Sequence, residues 1–431
     1  MSREENRKNF SKYVSQNILG MIGFSCYVLA DSYFISIAKG ADGLTALNLV
    51  MPLYSIIFSI GEMIGVGSAI RYAIGKIKKD ADADDYFWNA IIWCILSSIL
   101  FVFAGIFFSA DIMRILGADE HIVAVGNNYT KIFMCFAPMF MCNYVTNAFV
   151  RNDGAPGIAM SATLFSSLFN IVFDYILMFP MNLGMEGAAL ATALSPIIGM
   201  GICSIHFFSK KSSVRLVVCK PSVRKLVAGS QLGVSAFVGE MSSAVITLAF
   251  NFVILKLAGN VGVAAYGVVA NIAIVTTAVF NGVAQGSQPL ISSCFGKGDN
   301  DGCTQLKRMG YTTAFVLAAV MYSILFIFAG QLVAVFNSEG SEMLRLYATE
   351  GVKLYFIGIF FAGINIVGGG AFSATEDAFK AAVVSVARGF VLILGAVFVM
   401  SALFGMTGVW LAYAVAEGIT TFIMLVMALR V

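Results

Sequence analysis

About twelve stretches of this chain are apolar over the length of a membrane-spanning helix, and short polar gaps separate them. A crossing of the hydrocarbon core takes about 20 apolar residues. The runs fall at 14–38, 45–74, 86–109, 123–149, 156–180 and 184–208, then at 229–257, 260–294, 306–331, 345–371, 381–404 and 406–429. Inside lipid each backbone N–H and C=O has to be bonded within its own segment, so runs of this kind fold as helices. Composition agrees, with 59% of the 431 residues hydrophobic, 12% charged and a mean hydropathy of +0.86, where a soluble domain carries about a quarter charged residues. The expected fold class is an all-α polytopic membrane protein of about twelve transmembrane helices.

Polar residues organise the runs. The longest polar stretch, KKSSVRLVVCKPSVRK at 210–225, marks a linker at 209–228 between a first lobe, 1–208, and a second, 229–431. With the N-terminus placed in the cytoplasm, about 21 of the 27 Lys and Arg residues fall on the inner side, among them Arg71, Lys76, Lys78, Arg151, Arg388 and Arg430. Basic residues hold the cytoplasmic side of a membrane protein, so both termini are expected there in a multi-pass cell-membrane protein. The first residues, MSREENRKNFSKYVSQN, are followed by a run of helix length that contains Asp31 and has no small-residue cleavage site, and no removable signal peptide is expected. A net charge of +3 with no basic stripe argues against a nucleic-acid partner. Eight scattered cysteines without a C-x-x-C pair read as buried inert thiols.

The fifth run, GIAMSATLFSSLFNIVFDYILMFP, holds Asn170 and Asp174. Four residues apart, they share one helix face. An aspartate at the centre of a membrane helix costs about 2.5–3.5 kcal/mol on insertion scales. Asp174, flanked by Ile171, Val172, Phe173, Ile176 and Leu177, therefore needs a partner or a purpose.

The two halves resemble each other. Gly184-Met-Glu-Gly-Ala-Ala-Leu-Ala-Thr-Ala193 aligns with Gly405-Met-Thr-Gly-Val-Trp-Leu-Ala-Tyr-Ala414, Gly40-Ala-Asp-Gly43 with Gly259-Asn-Val-Gly262, and Gly75-Lys76 with Gly296-Lys297. Six helices is an even number, so both halves enter the membrane alike and a pseudo-twofold axis along the membrane normal relates the lobes. The chain resembles the multidrug and toxic compound extrusion family, the MATE transporters of the polysaccharide-exporter superfamily, over almost its full length. The resemblance lies in the first-helix aspartate of VLADSYFISIAKGADGLTALNLVMPL, in NIVFDYIL, in GMEGAALATALS and in GVAQGSQPLISSCFGKGD. It implies an efflux antiporter working by alternating access, in which cationic, amphipathic compounds leave as Na⁺ or H⁺ enters. It also implies that Tyr27 and Asn147 stand near the cavity of the first lobe.

The repeat separates architecture from specialisation. At the offset of the Gly-Met motifs, Asn170 meets Val391, Asp174 meets Gly395 and Thr192 meets Tyr413, while Asp31 meets Phe250 in the alignment through Gly40 and Gly259. The glycines recur, and the polar set belongs to the first half alone. Asp31, Asp174 and Thr192 also lie at similar depths, about six to eight residues from the outer helix ends, which is within a turn at about 1.5 Å per residue. One pocket can thus hold Asp31, Asn170, Asp174 and Thr192. Their oxygens suit a hard cation such as Na⁺; without a metal, two close carboxylates do not both ionise readily and one is expected to hold a proton. No cofactor is expected beyond that coupling ion.

Glu62, Glu240 and Glu417 are further intramembrane acids that can line a cleft. Arg388, near the inner end of its helix, is expected to snorkel to the headgroups, and His121 and His206, at helix ends, to be interfacial. Some of the 37 Phe and 21 Met residues can line a drug cavity, the rest facing lipid or core. No HExxH, GxSxG or P-loop is present, so an enzyme is not expected. A major-facilitator carrier shares the helix count, but GSAIRYAIGKIKK lacks the acidic residue that family's loop carries. A flippase of lipid-linked sugars from the same superfamily is the alternative. A diphosphate headgroup calls for cationic residues, whereas the central charges of the first half are Asp31, Glu62 and Asp174. Small organic cations and the bilayer are the expected partners of a monomer.

Overall fold

The computed structural model describes residues 3–336 and 341–429, which form helices and turns and no strand. Arg430, one of the basic residues assigned to the inner side, lies outside the described residues. The first half comprises α1 (Arg3–Gly40), α2 (Asp42–Lys78), α3 (Asp85–Ile115), α4 (120–152), α5 (Pro156–Met178) and α6 (Gly184–Phe207). The second comprises α7 (223–258), α8 (260–296), α9 (Asn300–Ile327), α10 (Glu342–Ala374), α11 (378–404) and α12 (406–429). Within α4, Glu120–Cys135 and Ala137–Asn152 meet at 47°, with a proline in the first turn of the second part that cannot continue the hydrogen-bond ladder behind it. Dividing the long helices at their glycine breaks gives twelve long helices among the described residues, as expected, although helix 7 begins at Val223, several residues before the apolar run.

One local device reverses the chain four times. Helical geometry runs from Arg3 to Lys78 with a single break, at Gly40 (φ 58°, ψ −141°). Unbroken, a helix of that length would reach about 114 Å, nearly four times the hydrocarbon thickness of about 30 Å. Gly259 (φ 60°, ψ −157°) and Gly405 (φ 58°, ψ −136°) repeat the break between α7 and α8 and between α11 and α12, and Gly184 (φ +51°) opens α6. A side chain is strained at such a φ. The glycine three residues on makes the close approach: a Cβ on Gly43 would lie 3.0 Å from Ile35, on Gly262 2.8 Å from Ile254, on Gly408 1.9 Å from the Met400 carbonyl, and on Gly187 2.8 Å from the Leu177 backbone. Each G-x-x-G therefore folds a helix pair back upon itself.

Two apolar cores result. One gathers residues of α2 to α6 around Phe133, Phe149 and Ile57. The other gathers residues of α7 to α12 around Phe250, Phe280 and Trp410. The lobes exchange their helix bases, since Phe10 and Val14 of α1 pack in the second core and Leu232 of α7 packs in the first.

Glycines make that exchange possible. A Cβ on Gly67 of α2 would stand 2.0 Å from the Gly229 carbonyl, and one on Gly233 of α7 1.9 Å from the Met63 carbonyl. The same seam recurs between α8 and α1, where Gly286 meets the Val14 backbone at 2.7 Å and Gly282 meets Ile18 at 2.6 Å. Small residues let membrane helices approach backbone to backbone. The lobes thus touch closely at the end that carries the linker. Ion pairs of Arg71 and Lys78 with Glu376, and of Lys225 with Asp85, lie at that end too, with Asn6 bonded to Gln305 at 3.2 Å.

Outward-facing apolar side chains form a belt, for example Leu100, Phe107, Phe165, Leu248, Val320 and Phe422, each more than half exposed. Exposed apolar area on this scale requires lipid rather than water against it.

Candidate functional site

The α5–α6 reversal brings three of the four first-lobe residues into contact. Asn170, Asp174 and Thr192 are fully or almost fully buried, and Asp31 of α1 is 5% exposed. With its amide turned to satisfy both ends, Asn170 donates to Asp174 Oδ2 at 3.1 Å and accepts from the Thr192 hydroxyl at 3.2 Å and backbone N–H at 3.3 Å. Asp31 is near enough to act electrostatically on Asp174. Asp31 Oδ1 and Asp174 Oδ1 are buried and accept no hydrogen bond among the described residues. Two such oxygens are costly to leave unsatisfied. Chemically, the arrangement offers oxygen ligands to a cation or a seat for a proton.

Beside this cluster, and sharing Tyr27's surroundings with it, is an open cavity between the lobes, about 1050 Å³ with the solvent at its mouth included. Its wall includes Tyr27, Glu62, Asn147 and Glu240, together with Met21, Phe24, Phe58, Phe140 and Met160. Those five are therefore among the Met and Phe residues that face the cavity rather than lipid or core. Tyr27 meets Phe24 edge to face at 5.0 Å. Asn147 donates to the Ala159 carbonyl at 3.1 Å and to Thr163 Oγ1 at 3.2 Å, tying α4 to α5. Glu240 makes no hydrogen bond or ion pair with the described residues, and Glu62 accepts from Gln285 at 3.3 Å. None of Asp31, Asn170, Asp174 and Thr192 lines this cavity or its neighbour.

A second cavity, about 800 Å³, joins the first at Glu62, Val66, Glu240, Asn281 and Gln285 and extends into the second lobe. Arg388 stands in its wall on the π-helical turn Ala387–Val391. The expectation that Arg388 reaches the headgroups is corrected here: its Nη2 lies 2.7 Å and its Nε 3.1 Å from Glu417 Oε1. Glu417 also accepts from Asn365 at 2.7 Å, and Asn365 accepts from Thr421 at 3.0 Å. A buried carboxylate is cheaper to pair locally than to carry alone, so the arginine turns inward and Glu417 is spent on it.

Two further placements differ from the sequence reading. Arg151, counted as an inner-side charge, is 5% exposed and lines the first cavity, its Nη1 donating to Gln285 Oε1 at 2.6 Å. It follows Asn147 by four residues on α4, and that spacing was the available signal. His206 is buried, 2.8 Å from Asp153 Oδ2, which also accepts from Ser212 at 3.1 Å and from the Ser213 N–H at 2.8 Å. His121 is exposed and meets Asp42 at 2.9 Å. Asn17 and Asn365 carried no sequence signal beyond being polar inside apolar runs, and Gln285 none beyond its place in GVAQGSQPLISSCFGKGD.

Two six-helix lobes, a cavity between them and a buried acidic cluster to one side define a two-lobe membrane transporter. A model of the MatE family matches residues 17–176 and 236–399, and the chain belongs to that family, one of transporters rather than enzymes. It is 28% identical over 414 residues to the multidrug export protein MepA of Staphylococcus aureus (strain MRSA252), covering 93% of this chain and 89% of the relative. It is 26% identical over 410 residues to MepA of Staphylococcus saprophyticus subsp. saprophyticus, with the same coverage. A multidrug resistance MATE family transporter of the MOP superfamily, solved in an outward-facing conformation, superposes with a TM-score of 0.92 at 20% identity, covering 99% of this chain and 96% of the other. A MOP superfamily transporter from Pyrococcus furiosus, described as having a binding pocket of reverse polarity, superposes with a TM-score of 0.91 at 19% identity, covering 99% and 95%. At these identities the solved structures share the fold.

Proposed function

We propose that the protein is a secondary active multidrug efflux antiporter that exports cationic or amphipathic organic compounds in exchange for Na⁺ or H⁺ by alternating access. The observation that carries this reading is the pair of buried, unpartnered oxygens on Asp31 and Asp174 beside an aromatic cavity that holds Glu62 and Glu240. Asp31, Asn170, Asp174 and Thr192 are the coupling residues, and as oxygen donors they serve Na⁺ or a proton equally. Tyr27, Asn147, Glu62 and Glu240 face the organic substrate. Two of the three charged residues in the cavity wall, Glu62, Glu240 and Arg151, are carboxylates, which disfavours a lipid diphosphate and with it a flippase.

An ion moves the lobes only through a difference in affinity between two conformations. Helix α1 is the moving part in this reading. It packs on α5 at Gly20 and Gly23, where an added Cβ would lie 3.7 Å from Met160 and 2.5 Å from Leu164. Filling the site draws Asp31 towards the α5–α6 trio and lowers the cavity's affinity for the organic cation. The test is uptake of a fluorescent organic cation into proteoliposomes under Na⁺ and pH gradients imposed separately. Accumulation driven by at least one gradient is expected; transport that neither gradient accelerates would refute ion coupling.

The same reading places both termini and the linker in the cytoplasm of the producing cell. With the native cysteines replaced, a Cys at Val218, 76% exposed, is expected to react with a membrane-impermeant maleimide only after cells are opened. Labelling in intact cells would reverse the orientation.

A further inference from the structure

The cavity holds a buried cation that no carboxylate among the described residues pairs with directly. Arg151 Nη1 donates to two neutral amide oxygens, Gln285 Oε1 at 2.6 Å and Asn17 Oδ1 at 3.4 Å. Its Nε is buried without an acceptor, and no carboxylate among the described residues lies within ion-pair distance of it. Glu62 is reached only through Gln285, whose Nε2 donates to Glu62 Oε1 at 3.3 Å. One amide thus stands between the guanidinium and the carboxylate, bonded to both and holding them apart. Arg388 shows the other arrangement, two nitrogens on Glu417.

A guanidinium has five donors in a rigid fork that fits a carboxylate with two parallel bonds. Buried among amide oxygens, Arg151 makes only part of that set and keeps donors for a further acceptor. Glu62 and the unpartnered Glu240 line the same cavity, as do Phe24, Tyr27 and Phe58. The cavity wall thus carries one guanidinium and two carboxylates.

We propose that Arg151 is a specificity-determining residue that selects amphoteric aromatic compounds, its guanidinium taking their carboxylate while Glu62 and Glu240 take their cationic end. This deepens the efflux reading and rests on it. A simple monocation has nothing to offer Arg151, whereas a zwitterion satisfies both signs of charge.

The experiment compares rhodamine B, a zwitterion at neutral pH, with its ethyl ester, a permanent monocation on the same scaffold, by fluorescence-polarisation binding to the full-length purified protein. Wild type is expected to bind the acid several-fold tighter than the ester. Arg151→Gln is expected to weaken the acid by about tenfold or more while leaving the ester within about twofold, as for loss of a charge-assisted bidentate pair. Equal losses of acid and ester in Arg151→Gln would assign Arg151 a structural role and overturn the proposal. Wild type binding the ester as tightly as the acid would also overturn it, and that measurement does not depend on the variant folding. Failure of wild type to bind the ester at all would instead strike the wider reading of cationic substrates.

Discussion

Asp174→Asn is expected to remove the ion dependence of substrate binding. In the wild type, saturating Na⁺ or H⁺ is expected to weaken binding of an organic cation by about 5- to 150-fold, the usual range of coupling between two sites on one protein. In the variant the two affinities should agree within about twofold. Asp174 is fully buried, bonded on one oxygen to the Asn170 amide and free on the other. An asparagine keeps one acceptor and the shape but discards the charge, so neither a cation nor a proton is held there. Asp31→Asn should give the same result through the other unpartnered oxygen. If the pair acts as one unit, the double variant is no worse than either single one. Isothermal titration of one organic cation across Na⁺ concentration and across pH, in all four proteins, decides it. Partial losses that add would separate the two residues, and unchanged ion dependence in both single variants would move the coupling to another acid, Glu240 first.

The second large effect concerns the seam between the lobes. Gly233→Leu is expected to lower transport by tenfold or more without preventing the lobes from folding. Its Cβ would stand 1.9 Å from the Met63 carbonyl oxygen, and backbone cannot swing aside as a side chain can. Overpacking typically costs about 1–3 kcal/mol, and here the cost falls only on the state in which the linker end is closed. Gly286→Leu should behave alike, because Gly286 occupies the matching place on α8 against Val14. Gly395→Leu is the control, since nothing lies within 4 Å of an added Cβ there. The readout is proteoliposome flux together with labelling of a cavity cysteine from the linker side, which should rise in the two seam variants. Wild-type flux in Gly233→Leu would show that this approach is not part of the cycle.

Local rules made much of the chain legible. Twelve apolar runs, the G-x-x-G repeats and the Asn170–Asp174 spacing are properties of single helices or of two helices joined by one turn. The membrane's cost for each polar group is also local, so Asp31 and Asp174 stood out without reference to any other segment. Arg151 did not, because a basic residue near a helix end counts equally as a topology signal and as a cavity wall. Arg388 misled for the same reason: its partner Glu417 comes from another helix, 29 residues further along the chain, and is itself held by Asn365 of a third, 52 residues before it.

By itself the sequence determined an all-helical membrane protein in two related halves, the recurrence of glycines such as Gly40 with Gly259 and Gly184 with Gly405, and the acids within the apolar runs of the first half. Only the tertiary structure decided that Gly67, Gly233, Gly282 and Gly286 bring the lobes together, that Gln285 joins Arg151 to Glu62, and that Glu417 is consumed by Arg388. The reason is physical. Helix period and lipid solvation act within one segment, whereas a glycine's close approach or an arginine's partner depends on which helices pack together and at what depth, and no neighbour in sequence reports that.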